Sequence, residues 1–189
     1  DKTGTLTQNI MTVREVRVAN AAYQVTGVGY SPKGDILTTE GRRLSTIDED
    51  LEYALLAGVI CNNARIYPPV ERRGGIKGLW RKLKPKNGND RKDAEWSLVG
   101  DPTEGALLVA GAKADREDLE LTHRFIGELP FDSRRKRMTV VTQVPGQIPI
   151  AWMKGAPDVV LDLCTHILKN GRVVPLSFGD RQKNYPSVF

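Results

Sequence analysis

A chain of 189 residues, 40% hydrophobic and 27% charged, has the size and composition of one globular domain with a core of ordinary volume. Its longest apolar runs, such as Ala54–Ile60, are far too short to cross a bilayer, so the chain is not expected to be membrane-inserted. The net charge of +5 is uneven: ten basic and four acidic side chains lie between Arg65 and Glu95, giving that stretch +6 and leaving the rest near neutral.

Two cysteines, Cys61 and Cys164, stand far apart with no CxxC pair. They make neither a disulfide framework nor a metal site, and a reducing compartment is expected. No charged-then-apolar start resembles a secretion signal.

Taken in chain order, Val13, Val16 and Val18 alternate imperfectly and AAYQVTGVGY follows a turn at Ala19–Ala21, which predicts a hairpin. Residues 31–43 read as a loop with a short extended piece. The segment from Ser45 to Asn63 reads as a helix. Ser45 or Asp48 caps it, acids fill its first turn, and Leu51, Leu55 and Val59 recur every four residues. Arg65–Glu95 is polar, basic and dotted with Gly and Pro, and is expected to be a mobile surface loop. WSLVG is a short strand, and Asp101-Pro102 opens a second helix.

HRFIGELPF reads as a strand ending at Pro130. RMTVVTQV and IPIAWMKG are strands joined by a turn at Pro145–Gln147. APDVVLDLC is a short helix with Val159, Val160 and Leu163 facing inward. HILKNGRVVPL is a hairpin around Asn170-Gly171. These elements sum to an α+β fold, an antiparallel β-sheet flanked by helices. The expected organisation is residues 1–9 as an edge motif, 10–176 as the domain with a basic insertion at 65–95, and 177–189 as a tail of unassigned structure.

Two segments tempt and fail. Gly29–Gly34 has the glycines of a phosphate-binding loop, but Asp35-Ile36 follows where Lys and Ser or Thr are needed. The basic insertion has only Tyr67 and Trp80 as aromatics, too few for a base-stacking platform, so no nucleic-acid partner is expected. It reads as a solvated loop, with contact to an acidic partner or anionic membrane surface as the alternative.

The opening DKTGTLT is chemical. A carboxylate followed by glycine and hydroxyl residues can face a phosphoryl group and form an acyl phosphate. Position 3 is Thr, where an aspartyl phosphatase needs an acid to activate water, so a phosphate on Asp1 should be long-lived.

DKTGTLT resembles the phosphorylation motif of P-type ATPases, ion pumps that pass through an aspartyl phosphate. Three further segments resemble the same family in order: GDPTEGALL (Gly100–Leu108), FDSRRKRMTVV (Phe131–Val141) and MKGAPDVVLDLCTHI (Met153–Ile167). ALLAGVICNNA resembles the helix before the insertion in calcium-pump-like members. Asp158 stands where the family has Glu. The resemblance implies the fold of a nucleotide-binding domain, ATP and Mg2+ as cofactors, and Asp1, Lys2 and Thr3 as the catalytic motif, with Asp1 and Thr3 holding magnesium only in the intact parent. It implies phosphorylation, actuator and transmembrane domains as partners, a place on the cytoplasmic face of a membrane, and cation transport, with calcium the expected ion. The chain itself is expected to be a monomer that binds nucleotide but, unlike the intact parent, forms no stable phosphoenzyme, because Asp1 here has no supporting strand and its own α-amino group is an unnatural neighbour.

The chemistry of the middle segments suits ATP. Phe131 offers a flat face for adenine, worth roughly 1–3 kcal/mol by analogy with base stacking. Lys136 and Lys154 supply charge for a polyphosphate, Gly155 lets backbone approach a ligand, and Glu104 can accept from the adenine amino group. The resemblance makes Glu104, Phe131, Lys136 and Lys154 adenine-pocket residues, with Arg134 and Met138 nearby. Plainer readings stand beside these: Phe131 as core, Lys154 as an exposed strand-end lysine, Glu104 as a favourable charge at a helix N-terminus. Two other functions compete: a stand-alone phosphatase built on Asp1, and a non-catalytic regulatory piece using the basic loop.

Overall fold

The structure, a computed structural model, describes residues 10–69, 96–114 and 122–184. Strands β1 (Glu15–Arg17), β2 (Ala22–Val25) and β3 (Ile36–Thr38) form an antiparallel sheet in chain order. Helix α1 (Glu49–Ile60) follows, then β4 (Arg65–Tyr67), β5 (Ser97–Val99) and α2 (Pro102–Ala112). A second antiparallel sheet is built from β6 (Arg124–Asp132), β7 (Arg137–Gln143) and β8 (Ile150–Gly155), in that order. The rest is α3 (Pro157–Leu163), the hairpin β9 (His166–Lys169) and β10 (Arg172–Pro175), and α4 (Phe178–Asn184). The α+β class expected from the sequence is the one observed.

Helix α1 stands between the two three-stranded sheets, and its sequence explains why. Of the two candidate caps it uses Asp48, whose Oδ1 accepts from Leu51 N at 2.9 Å. Leu51 and Leu55 turn toward β2 and β3, packing with Tyr23, Ile36, Ala110 and Ala114. Leu56 and the following Cys61 turn the other way, onto Met138, Val140 and Trp152 of the second sheet. The Trp152 indole is satisfied inside that core by the Thr142 hydroxyl, 2.9 Å away. Helix α2 lies close against α1: a Cβ added to Gly111 would stand 2.3 Å from Cγ2 of Val59.

Three local expectations change. Strand β6 continues past Pro130 to Asp132, with a register irregularity between Leu129 and Asp132. On an edge strand, at such an irregularity, the missing proline N–H is tolerated. The start of the expected loop, Arg65–Tyr67, is a strand paired with Ser97–Val99, whereas residues 70–95 lie outside the described residues. Leu163 is 52% exposed rather than inward-facing, because the two-turn α3 sits at the periphery and buries no residue fully.

The tail forms α4, with no apolar period to announce it; polar contacts hold it. Arg181 donates to the carbonyls of Leu161 and Cys164, both at 2.7 Å. Hydrogen bonds from Lys169 and Ser177 hold the Asp180 carboxyl down to about 2.

Candidate functional site

The register of the second sheet gathers the candidate residues at one end. Asp132 pairs with Arg137, and Arg137 with Gly155, while Met138 pairs with Lys154. The end of β6, the turn into β7 and the end of β8 therefore adjoin. The N-terminus of α2 and the C-terminus of α1 close on the same place.

Glu104 and Lys154, fifty residues apart, meet there: Lys154 Nζ lies 2.8 Å from Glu104 Oε1. Both side chains are largely withdrawn from solvent, Lys154 at 23% exposure and Glu104 at 16%. The other carboxylate oxygen, Oε2, accepts the Asn63 backbone N–H at 3.0 Å. Glu104 is the third residue after the Asp101 cap, the place where a glutamate ordinarily reaches back to the cap N–H. Here both its oxygens face the site instead. Helix capping falls to Asp101, whose Oδ1 accepts from Thr103 N at 2.8 Å and Glu104 N at 3.2 Å. Burial works against the charged form of Asp101, yet the Glu104 and Thr103 contacts outweigh it and hold its pKa below the ordinary value.

Phe131, near the end of β6, is 63% exposed, so its face is available rather than committed to core packing. Lys136 and Arg134 lie exposed in the turn after it, and Lys136 adopts a left-handed φ of 52°. The turn is closed by Asp132 Oδ1, which accepts from Arg134 N at 3.0 Å and Arg135 N at 2.9 Å, and by Arg135 donating to Pro130 O. Gly155 has a packing reason beside its proposed one: a Cβ there would stand 2.5 Å from the Lys136 carbonyl oxygen, which accepts from Ala156 N. Met138 has its side chain in the core, 1% exposed, beneath the site rather than lining its mouth. Cys61 lies beside it, its thiol pKa raised by burial. Asp1, Lys2 and Thr3, with the magnesium assigned to them, fall outside the described residues.

Sequence reasoning passed over three residues that shape this site. Asn62 Nδ2 donates to the Glu104 backbone carbonyl at 2.9 Å, Asn63 supplies its N–H to the Glu104 carboxylate, and Asn63 Nδ2 donates to Glu128 Oε1 at 2.9 Å. A pair of asparagines after a helix reads as a stop signal, and nothing in the spacing links it to Glu104. A cavity of about 270 Å³ lies elsewhere, between Asp35, Arg43, Thr46 and Lys113.

The family described as P-type ATPase, cytoplasmic domain N, matches residues 50–185. The chain belongs to the P-type cation ATPases. It is 37% identical over 173 residues to a "Calcium-transporting ATPase" of Bacillus subtilis, covering 90% of this chain and 17% of that protein. It is 32% identical to "Cation-transporting ATPase pma1" of Synechocystis, covering 97% and 18% respectively. Human "Calcium-transporting ATPase type 2C member 2" is 30% identical, covering 98% and 17%. The chain thus spans about one sixth of the length of these P-type relatives, the part that carries the N, or nucleotide-binding, domain. Among the described residues no helix is long and apolar enough to cross a membrane.

Proposed function

We propose that this N domain binds the ATP of a calcium-transporting pump between Phe131 and the Glu104–Lys154 pair, and delivers its γ-phosphate to Asp1. The observation that carries the reading is the meeting of Glu104 with Lys154 at 2.8 Å, at the sheet end where Phe131 stands exposed. The residues fit the ligand. An exposed aromatic ring takes a base, a carboxylate accepts from an exocyclic amine, and Lys136, Arg134 and Lys154 balance a polyphosphate. Bound ATP supplies the phosphoryl group; this chain's residues hold and orient it. Magnesium is proposed at Asp1 and Thr3 of the parent. Calcium as cargo is supported by relatives named as calcium-transporting ATPases.

ATP titration of the chain by calorimetry tests the site. Phe131→Ala and Lys154→Ala are each expected to weaken binding roughly 5- to 150-fold, the span of one lost stacking or charge contact of about 1–3 kcal/mol. Wild-type affinity in both variants would place the nucleotide elsewhere.

A further inference from the structure

We infer that Asn62 is a positioning residue for this site: its carboxamide bridges the last turn of α1 to the first turn of α2 and so sets where Glu104 stands. The inference rests on the reading of Glu104 and Lys154 as nucleotide contacts and adds a residue to it that itself touches no ligand.

Three bonds define the bridge. Asn62 Nδ2 donates to Gly58 O at 3.0 Å, a carbonyl in the last turn of α1 that has no partner further along its own helix. The same nitrogen donates to Glu104 O at 2.9 Å. Asn62 Oδ1 accepts from Ala64 N at 2.9 Å, fixing the chain as it leaves the helix. The next residue then completes the hold, since Asn63 N–H is bonded to the Glu104 carboxylate and Asn63 Nδ2 to Glu128 on β6. Glu104 is thereby fixed at its backbone by Asn62 and at its side chain by Asn63 and Lys154.

The chemistry singles out asparagine. The position needs two donors and one acceptor on a two-carbon stem, and among side chains of that length only a carboxamide has them. An aspartate there has no proton to give and would set its charge against the Gly58 and Glu104 carbonyl oxygens. Glutamine keeps the groups but carries them one methylene too far. Local helix propensity does not demand the residue, because α1 ends before it. Its reach is to α2.

The test is a double-mutant cycle on the 189-residue chain, read by ATP titration with thermal unfolding alongside. Asn62→Asp is expected to weaken ATP binding about tenfold, the equivalent of one lost hydrogen bond to a committed partner. Asn62→Gln is expected to weaken it by less and stands in if the aspartate variant does not fold. The deciding measurement is Asn62→Asp or Asn62→Gln combined with Glu104→Gln. A residue that acts through Glu104 adds no further loss once Glu104 is changed. Losses that multiply would overturn the inference, since they mark a general structural effect. Wild-type ATP binding in the Asn62 variants, with Glu104→Gln still impaired, would overturn it while leaving the site in place. Wild-type binding in both Glu104→Gln and Lys154→Ala would remove the site and the positioning role together.

Discussion

The buried carboxylate of Asp50, in the first turn of α1, accepts the backbone N–H of Gly171 at 2.8 Å through Oδ1, and its Oδ2 accepts that of Asn170 at 2.8 Å. One side chain thus pins the β9–β10 turn to the central helix across 120 residues of sequence. Both turn residues have positive φ, 51° and 72°, which leaves their N–H groups pointing outward from the hairpin and free to be taken by an acid. Asp50→Ala strands two donors and is expected to cost about 2–3 kcal/mol in urea unfolding. Asp50→Asn is expected to lose about half as much, since the amide keeps one acceptor. An unchanged midpoint in both would show that the turn stands without this anchor.

Tyr23 and Asp48 make the second anchor of α1. The Tyr23 hydroxyl donates to Asp48 Oδ2 while Oδ1 caps the helix, so one carboxylate joins β2 to the helix start. Burial, then the hydrogen bond to Asp48 and the nearby acids, push the Tyr23 hydroxyl up to about 12. A folded-state pKa above the unfolded one stabilises fully below the unfolded value of 10 and is lost as pH rises through 12. The chain should therefore lose stability between pH 10 and 12 in chemical unfolding. Tyr23→Phe should start about 1.5 kcal/mol less stable at neutral pH and show a shallower decline over that window. Parallel curves for the two proteins would sink the assignment.

These anchors mark what the sequence made legible and what it withheld. The Asp101-Pro102 helix start, the Asn170-Gly171 turn and the β7–β8 pair were readable because each signal is local: a cap, a turn dipeptide, an alternation. Asp50 read only as an acid in a first turn, and its partners lie where no spacing rule reaches. Glu104 shows the same limit in the site. Its motif marked it for the site and its place after Asp101 equally suited a favourable helix-start charge, but no spacing rule tied it to Lys154, fifty residues on. Strand β4 was lost inside the insertion because its partner, β5, is thirty residues away, and α4 because hydrogen bonds to carbonyl oxygens and the Lys169–Asp180 pair hold it instead of an apolar face.

Close approach of α1 and α2 depends on Gly111. Alanine there would gain roughly 0.5–1 kcal/mol of helix propensity, but its Cβ would sit 2.3 Å from the Val59 methyl. Valine in a helix is held to one rotamer, so the strain falls on the helix pair. Gly111→Ala is expected to destabilise by about 1–3 kcal/mol. Val59→Ala in the same chain should recover much of that loss. Additive losses in the double variant would mean that the contact is not what limits the residue.

The Glu104–Lys154 pair separates stability from function. Removing one partner leaves a mostly buried charge without its counterion, and Glu104→Ala or Lys154→Ala should each lose about 1–3 kcal/mol in urea unfolding. Replacing both together, as Glu104→Leu with Lys154→Met, removes the desolvation penalty along with the attraction. Such exchanges are often neutral or stabilising, so the double variant is expected to recover most of the single-variant loss, short of the Asn63 N–H that also loses its Glu104 acceptor. Its ATP affinity should nevertheless fall by at least as much as in either single variant. That combination, stability restored and binding lost, is what a pair kept for a ligand produces. A double variant that binds ATP like wild type would instead make the pair a packing device, and the nucleotide contacts would have to be sought around Phe131 and Lys136 alone.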